Sequence, residues 1–329
     1  MTGVSNKIVD VKDDGVRLDR WFRLYYPQLK HGALEKLLRT GQIRVDGARV
    51  KSNRRMAVGE SVRIPPMDDA PAPKAAVYNK DDADYIRSLM LYEDDDILAI
   101  NKPFGLAVQG GAKQSRHIDG MLASLEKNGE RPLLVHRLDQ ETGGLLVLAK
   151  SRKAARELGH AFQGRDVAKT YWALCLGVPR PREGTIDLPI AKKPVKIGVR
   201  VQERMSPDDG AEAKTAITDF MTIDDAGEAS FVALKPLTGR THQLRVHCAA
   251  MGAPIVGDRK YGGPQAVLEG VPEGLQLFCR EMTFAHPATG KRLTVTAPLT
   301  GRMKDTWKFF GFNADARVDW PDIRKPKKR

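Results

Sequence analysis

Apolar residues recur along this chain in two rhythms, and the elements change where the rhythm changes. Leu18, Trp21, Phe22 and Tyr25 fall at i, i+3, i+4 and i+7, the stripe of an amphipathic helix, and Pro27 lies just beyond its end. A second short helix carries Leu34, Leu37 and Leu38 and stops near Gly41. The spacing then becomes that of strands: residues 43–45, a turn at Asp46-Gly47, a strand around Val50, and residues 62–64. Together they predict a small α+β domain over residues 15–66. Residues 67–84 show no periodicity, are rich in proline, alanine and mixed charge, and read as a linker that is semi-stiff at its prolines.

Strands dominate from Tyr85 onward. Residues 97–100 form a short one, and residues 145–149 are an uninterrupted apolar run of the kind that fills a fully buried strand. A helix over 152–162 puts Ala155, Leu158 and Phe162 on one face, and a strand follows at 169–174. Residues 217–223 and 231–234 alternate like half-buried antiparallel strands, and 294–297 gives the last one. Strands with few crossover helices predict an α+β domain over 85–310 built on a mixed, mainly antiparallel sheet, followed by an aromatic and basic tail over 311–329.

Composition narrows the class. A chain of 329 residues accommodates about two domains, and a hydrophobic fraction of 41% is ordinary for a soluble protein. The three cysteines, Cys175, Cys248 and Cys279, form no CxxC pair, which argues for a reducing cytoplasm and against a disulfide scaffold or zinc ribbon. The first residues lack the apolar core of a signal peptide, and no apolar run is long enough to cross a bilayer, so a soluble, cytoplasmic monomer without membrane attachment is expected. The net charge is +13, with +8 of it in residues 15–64 and +4 in residues 317–329. Two basic ends around a nearly neutral body suit a polyanion, because clustered cations gain by displacing its condensed counterions.

Candidate chemistry centres on H-R-L-D-Q-E-T-G-G-L-L-V-L-A-K, which begins at His136. Its apolar second half anchors its charged first half, so Arg137 and Asp139 stand on a loop pinned to the core. Taken alone, a loop aspartate is most often a solvated charge. The sequence has no G-x-x-x-x-G-K-[ST] phosphate loop and no dinucleotide fingerprint. His242, His247 and Cys248 form a close trio, but without a second ligand cluster they are a weak metal signal, so neither a metal nor a cofactor is expected.

The Asp139 segment resembles the HRLDxxTSGLL signature of the RluA-type pseudouridine synthases, with Gly143 in place of the usual serine. N-K-P-F-G-L-A-V-Q-G-G, from Asn101, resembles that family's NKPxGLxVxxG motif. G-R-T-H-Q-L-R-V-H and P-I-V-G-D-R-K-Y-G resemble its third motif. The two helices and short strands at the N-terminal end resemble an S-four-type RNA-binding domain, and with the R-I-P-P that follows they most resemble the RluC branch, which modifies large-subunit ribosomal RNA.

The resemblance implies a pseudouridine synthase fold and an isomerase that needs no cofactor or metal. It implies that Asp139 is the nucleophile, that Arg245 pairs with it, and that Tyr171 stacks on the uracil as a candidate for C5 deprotonation. Leu244 would pack against the base, and Arg137 would fill the space left by the flipped nucleotide. His136 and His242 would be structural or RNA-contacting, Lys102, Pro103 and Gly105 would shape the floor of the site, and Arg39, Arg44, Arg49, Arg54 and Arg55 would contact phosphates. Two alternatives stay open: a transfer-RNA synthase of the same chemistry, and a ribosome-assembly factor that binds RNA without modifying it.

Overall fold

Both helical stripes fold as their spacing dictates. A computed structural model describes residues 3–26, 28–66, 79–110, 116–127, 130–164, 166–197 and 200–320, and divides the chain into two units, Met1–Val77 and Tyr78–Arg329. In the first unit β1 (Ser5–Ile8) precedes α1 (Leu18–Tyr25) and α2 (His31–Arg39), and β2 (Arg44–Val45) and β3 (Ser61–Ile64) follow. The strands form an antiparallel sheet in the order β1-β3-β2. Leu18, Trp21, Phe22, Leu34 and Leu38 meet Ile43, Val45 and Val62 in a core of their own. The unit thus includes a strand, β1, ahead of residue 15. No strand forms around Val50: Asp46 (φ 49°) and Gly47 (φ 75°) reverse the chain, Ala48 bridges straight back to Val45, and Val50 only packs against the core.

The second unit opens with α3 (Lys80–Ser88), capped by Asn79, whose side-chain oxygen accepts from the backbone N–H of Asp81 at 3.0 Å. The end of the expected linker is therefore helix, and its remainder, residues 67–78, lies outside the described residues. Next come β4 (Met90–Glu93), β5 (Ile97–Lys102), the single-turn α4 (Ile118–Met121), β6 (Leu133–Leu134), β7 (Gly143–Ala149), α5 (Arg152–Gly164) and β8 (Ala168–Leu176). Then follow β9 (Glu183–Asp187), β10 (Ile190–Ile197), β11 (Arg200–Pro207), β12 (Ile217–Asp225), β13 (Ala229–Pro236) and α6 (Gln243–Ala250), and β14 (Leu277–Ala285), β15 (Arg292–Thr296) and α7 (Gly301–Phe310) complete the unit.

Ten of these strands form one sheet along β4-β5-β7-β14-β8-β13-β12-β9, with β15 beside β14 and β6 beside β7. Only β7 and β14 pair in parallel, so the sheet is mixed and mainly antiparallel, as the strand pattern predicts. β10 and β11 form a separate hairpin. The expected tail is in part core: Phe312 is buried against Phe231 and Trp307, and the Trp320 indole N–H donates to Thr170 Oγ1 at 3.3 Å. Residues 321–329 lie outside the described residues.

The sheet register places the site. β14 sets Cys279 opposite Gly144 of β7 on one side and opposite Tyr171 of β8 on the other. Two inter-strand spacings, about 10 Å, thus separate Tyr171 from the end of the Asp139 loop. Gly144 is at φ 102°, and a Cβ there would lie 2.3 Å from the Cys279 carbonyl oxygen, so only glycine permits this approach.

Candidate active site

Asp139 ends a loop that two neighbouring segments clasp. The Gly105 N–H donates to the Gln140 carbonyl at 3.0 Å, and the Gln140 side-chain amide returns a bond to the Gly105 carbonyl at 2.9 Å. Beneath them the fully buried Lys102 sends its Nζ to the carbonyls of Pro103, Leu106 and Gln140 at 2.8, 2.8 and 3.1 Å. Burial pulls this ammonium down to about 7, against the attraction of Glu141 and Asp139. The N-K-P-F-G segment therefore forms the floor under the aspartate loop.

His136 secures the other end. Its Nε2 accepts from the Val147 N–H at 2.9 Å and its ring stacks on Phe162 at 4.5 Å, so it serves the fold. Burial, helped by the nearby Lys169 cation, pushes it down to about 3 and keeps it neutral.

Above this loop is an open cleft of about 260 Å³, lined among others by Val108, Arg137, Asp139, Glu141, His242 and Arg245. Arg137 is exposed and Asp139 is about a quarter exposed (27%). The cleft brings Asp139 and Arg137 together with His242 and Arg245 from two distant motifs.

Arg245 differs from expectation in its partner. Its Nε and Nη2 reach the two carboxylate oxygens of Asp258 at 2.8 and 2.7 Å, and Asp258 Oδ1 also accepts the backbone N–H groups of Lys260 and Tyr261 at 3.1 Å each. Among the described residues no hydrogen bond or ion pair joins Arg245 to Asp139. The reason is burial: Asp258 is 1% exposed, and a carboxylate so far from water needs a bidentate cation more than a solvated one does. Asp139 instead has His242 Nε2 at 3.7 Å from its Oδ2. His242 sits in the left-handed region (φ 54°) at the start of α6, with Nδ1 2.6 Å from the Tyr261 hydroxyl. Burial and the cations Arg245 and Lys260 hold this imidazole below its ordinary pKa against the pull of Asp139 and Asp258.

Tyr171 stands behind the cleft rather than on its lining. The β8 register sets it opposite Cys279, and burial, with Cys279 beside it, raises its pKa well above the usual phenol value. Leu244 is buried in the apolar cluster against which Tyr171 packs. Gln243 fixes the loop before α6: its Oε1 accepts from Thr238 Oγ1 at 2.7 Å, and its Nε2 donates to the Ile217 carbonyl at 2.9 Å.

The His242, His247 and Cys248 trio does not converge. His247 is fully buried between Thr218 Oγ1 (2.9 Å) and the Leu188 carbonyl (3.0 Å), and Cys248 lies in the core. Ligand atoms of Asp94, Asp96 and His286 do come within 4.8 Å of one another. There, however, Asp94 already accepts from Tyr92, His286 and the backbone of Ile97 at 2.5, 2.9 and 2.8 Å, which ties the corner of a turn.

In the first unit the five arginines are unequally free. Arg54 forms a two-pronged pair with Glu60, at 3.2 and 2.6 Å, Arg44 donates to the Gly41 and Gly47 carbonyls, and Arg55 donates to the Gly15 carbonyl. Arg49 lies along Gly41, whose Cβ would meet its Nε at 2.9 Å. Arg39 is exposed and makes no hydrogen bond or ion pair among the described residues.

Comparison with known proteins adds the chemistry. Residues 96–250 match the family described as RNA pseudouridylate synthase. A ribosomal large subunit pseudouridine synthase C of Vibrio cholerae is 32% identical over 91% of this chain and 95% of its own length. The protein of that name in Rickettsia prowazekii is 36% identical over 86% of this chain and 93% of its own. The solved structure of human RNA pseudouridylate synthase domain containing 4 superimposes with a TM-score of 0.60 at 29% identity, covering 70% of this chain and 95% of that one.

Proposed function

The chain belongs to the RNA pseudouridylate synthase family, and from that premise we propose that it converts uridines of large-subunit ribosomal RNA to pseudouridine, with Asp139 as the nucleophile. The reaction breaks the bond from C1′ of the ribose to N1 of the uracil, turns the detached base, joins C1′ to C5 and releases the C5 proton. No atom is gained from a donor and none is oxidised. The protein must present a carboxylate to the sugar carbon and hold the loose base against a surface.

The observation that carries this reading is the cleft. It displays the partly exposed carboxylate of Asp139, with Glu141 also on the lining, beside a half-buried imidazole and a cation already engaged elsewhere. A base can reach Asp139 only after leaving its stack, and the exposed Arg137 at the rim suits the gap it leaves. Tyr171 of β8 and Leu244 of α6, packed together behind the lining, back the place that the base takes in this reading. Because burial keeps the Tyr171 phenol protonated, its oxygen must pass on its own proton before it can take the one from C5.

In this reading the first unit grips RNA as an S-four-type domain, with Arg39 as its most available phosphate contact. The protein works in the cytoplasm. Among the described residues no helix is long and apolar enough to cross a membrane.

Tritium release from RNA labelled at uracil C5 tests the chemistry: wild type is expected to release label and Asp139→Asn to be inert. Release by the Asn variant, or none by wild type, would refute the assignment. Mapping pseudouridines in total RNA from cells with and without the protein tests the substrate. Losses confined to transfer RNA would move the reading there.

A further inference from the structure

We propose that Arg204 and Lys260 form a phosphate subsite beside the cleft, which receives a backbone phosphate of the RNA strand bearing the target uridine. The proposal rests on the reading above and adds to it where the strand is held.

The position comes from packing. Met205 of β11 and Tyr261 both pack on the small cluster of Ile190, Ala216 and Val246, the last on α6. This contact seats the root of the β10–β11 hairpin against the helix that carries Arg245. Arg204, one residue from Met205 on an extended strand, donates from Nη1 to the Lys260 carbonyl. The two cations are thereby joined to each other by the backbone and to the cleft by α6.

Charge then shows that the fold itself leaves them unanswered. Three cations gather around Tyr261: the Arg245 guanidinium lies 5.0 Å from the ring centroid and Lys260 Nζ 5.5 Å from it, with Arg204 held to the Lys260 backbone. One buried carboxylate serves this group, Asp258, and both of its oxygens are committed to Arg245. Among the described residues neither Arg204 nor Lys260 forms an ion pair, and Arg204 Nε is buried with no hydrogen-bond partner. Burial, together with Arg245 and Arg204, depresses the Lys260 pKa against the attraction of Asp258 and Asp139, the response of a partly desolvated cation among like charges. Two such cations side by side are a cost to the empty protein. Their arrangement gains only when an anion arrives.

The direction is set by the relay from Tyr261 to His242 Nδ1 (2.6 Å), and from His242 Nε2 to Asp139 (3.7 Å). The subsite is thus two residues, Tyr261 and His242, removed from the nucleophile, on the side of the cleft formed by α6. A planar guanidinium fork with a point-charge ammonium beside it is a donor set suited to a phosphodiester.

The test uses the full chain and a large-subunit ribosomal RNA transcript carrying C5-tritiated uridine, with turnover and filter-retention binding measured across a salt series. Lys260→Met and Arg204→Met are each expected to raise KM about tenfold, the size of one charge-assisted contact, with kcat nearly unchanged. Each should also make the plot of log affinity against log salt shallower by about 0.7 to 0.9. Lys260→Arg should keep the wild-type slope and melting temperature, and Lys260→Met should melt no lower than wild type. An unchanged slope in Lys260→Met, or a fall in kcat at constant KM, overturns the subsite. Should wild type release no tritium, the binding slopes still decide this proposal, while the catalytic reading alone falls. Inorganic phosphate serves as competitor: loss of its inhibition in the variants supports a phosphate site, and equal inhibition of wild type and variants counts against one.

Discussion

Replacing Asp258 by Asn asks where the Arg245 charge is spent. The side chains of the pair are 12% and 1% exposed, and Asp258 accepts four hydrogen bonds, two from Arg245 and one each from the Lys260 and Tyr261 backbone. An asparagine has one acceptor oxygen in place of two. If that oxygen keeps the backbone donors, its NH2 faces the guanidinium donor to donor; if it turns to Arg245, the backbone N–H groups lose their partner. Either way a buried guanidinium has no counter-charge, a loss of about 3–5 kcal/mol. For a unit of this size each kcal/mol shifts the melting temperature by about 2–4 °C, so a fall of roughly 6–20 °C is expected. Scanning calorimetry on the full chain reads it, with Asp139→Asn as the companion. Asp139 is partly exposed and has one contact at 3.7 Å, so its substitution should cost within about 0.5 kcal/mol. If Asp139→Asn lowered the melting temperature more than Asp258→Asn, Arg245 would be serving Asp139 after all, and the account of the site given above would be wrong.

Three further outcomes are expected. Gly143→Ser should cost about 1–3 kcal/mol of stability, because a Cβ there would stand 2.8 Å from Phe104 Cζ; Phe104→Leu in the same chain should recover much of it, and strictly additive melts would show that the ring does not fill this space. Lys102 loses its proton near 7 when folded and near 10.5 when unfolded, so between those values the unfolded chain holds more protons and stability climbs with pH. Urea titrations across that window should show a flatter climb in Lys102→Met, and an unaltered slope would mean that the ammonium is not desolvated. For His136 the window is acidic: the folded imidazole stays neutral down to about 3 while the unfolded one protonates near 6.5, so stability falls as pH drops between them. An imidazole signal from His136 that titrates near 6.5 in the folded protein would contradict this.

Much of the architecture was legible because period and burial coincide. The α1 stripe of Leu18, Trp21, Phe22 and Tyr25 folds at its stated bounds, and the apolar run over 145–149 is the wholly buried β7. Elements that the spacing analysis missed lack that coincidence. β14 reads L-F-C-R-E-M-T-F-A, with charges in its middle, yet it lies between β7 and β8. Its register, which sets Cys279 between Gly144 and Tyr171, belongs to the sheet and to no local segment. β10 is lysine-rich and forms a hairpin off the main sheet, so no alternation of apolar and polar positions marks it. The tail misled by composition, because Phe312 and Trp320 are docked while a charge count takes no account of packing.

The site divides along the same line. Motif positions delivered Asp139, Arg137, His242 and Arg245 to one cleft, since each stands beside a strongly patterned element, but they did not say which acid Arg245 would hold. Two carboxylates compete for it, and the contest is decided by exposure, a tertiary property. Asp258, 1% exposed and thirteen residues further along the chain, cannot remain charged without a bidentate partner, whereas Asp139, 27% exposed, keeps contact with water. The fold therefore spends its strongest cation on the acid that must stay put and leaves the other with a single imidazole at 3.7 Å. A carboxylate clamped by two guanidinium bonds would have to break both to meet a sugar carbon. One that is held only at a distance has a lone pair to give, and that contrast, independent of any motif, supports the proposal that Asp139 rather than Asp258 is the nucleophile.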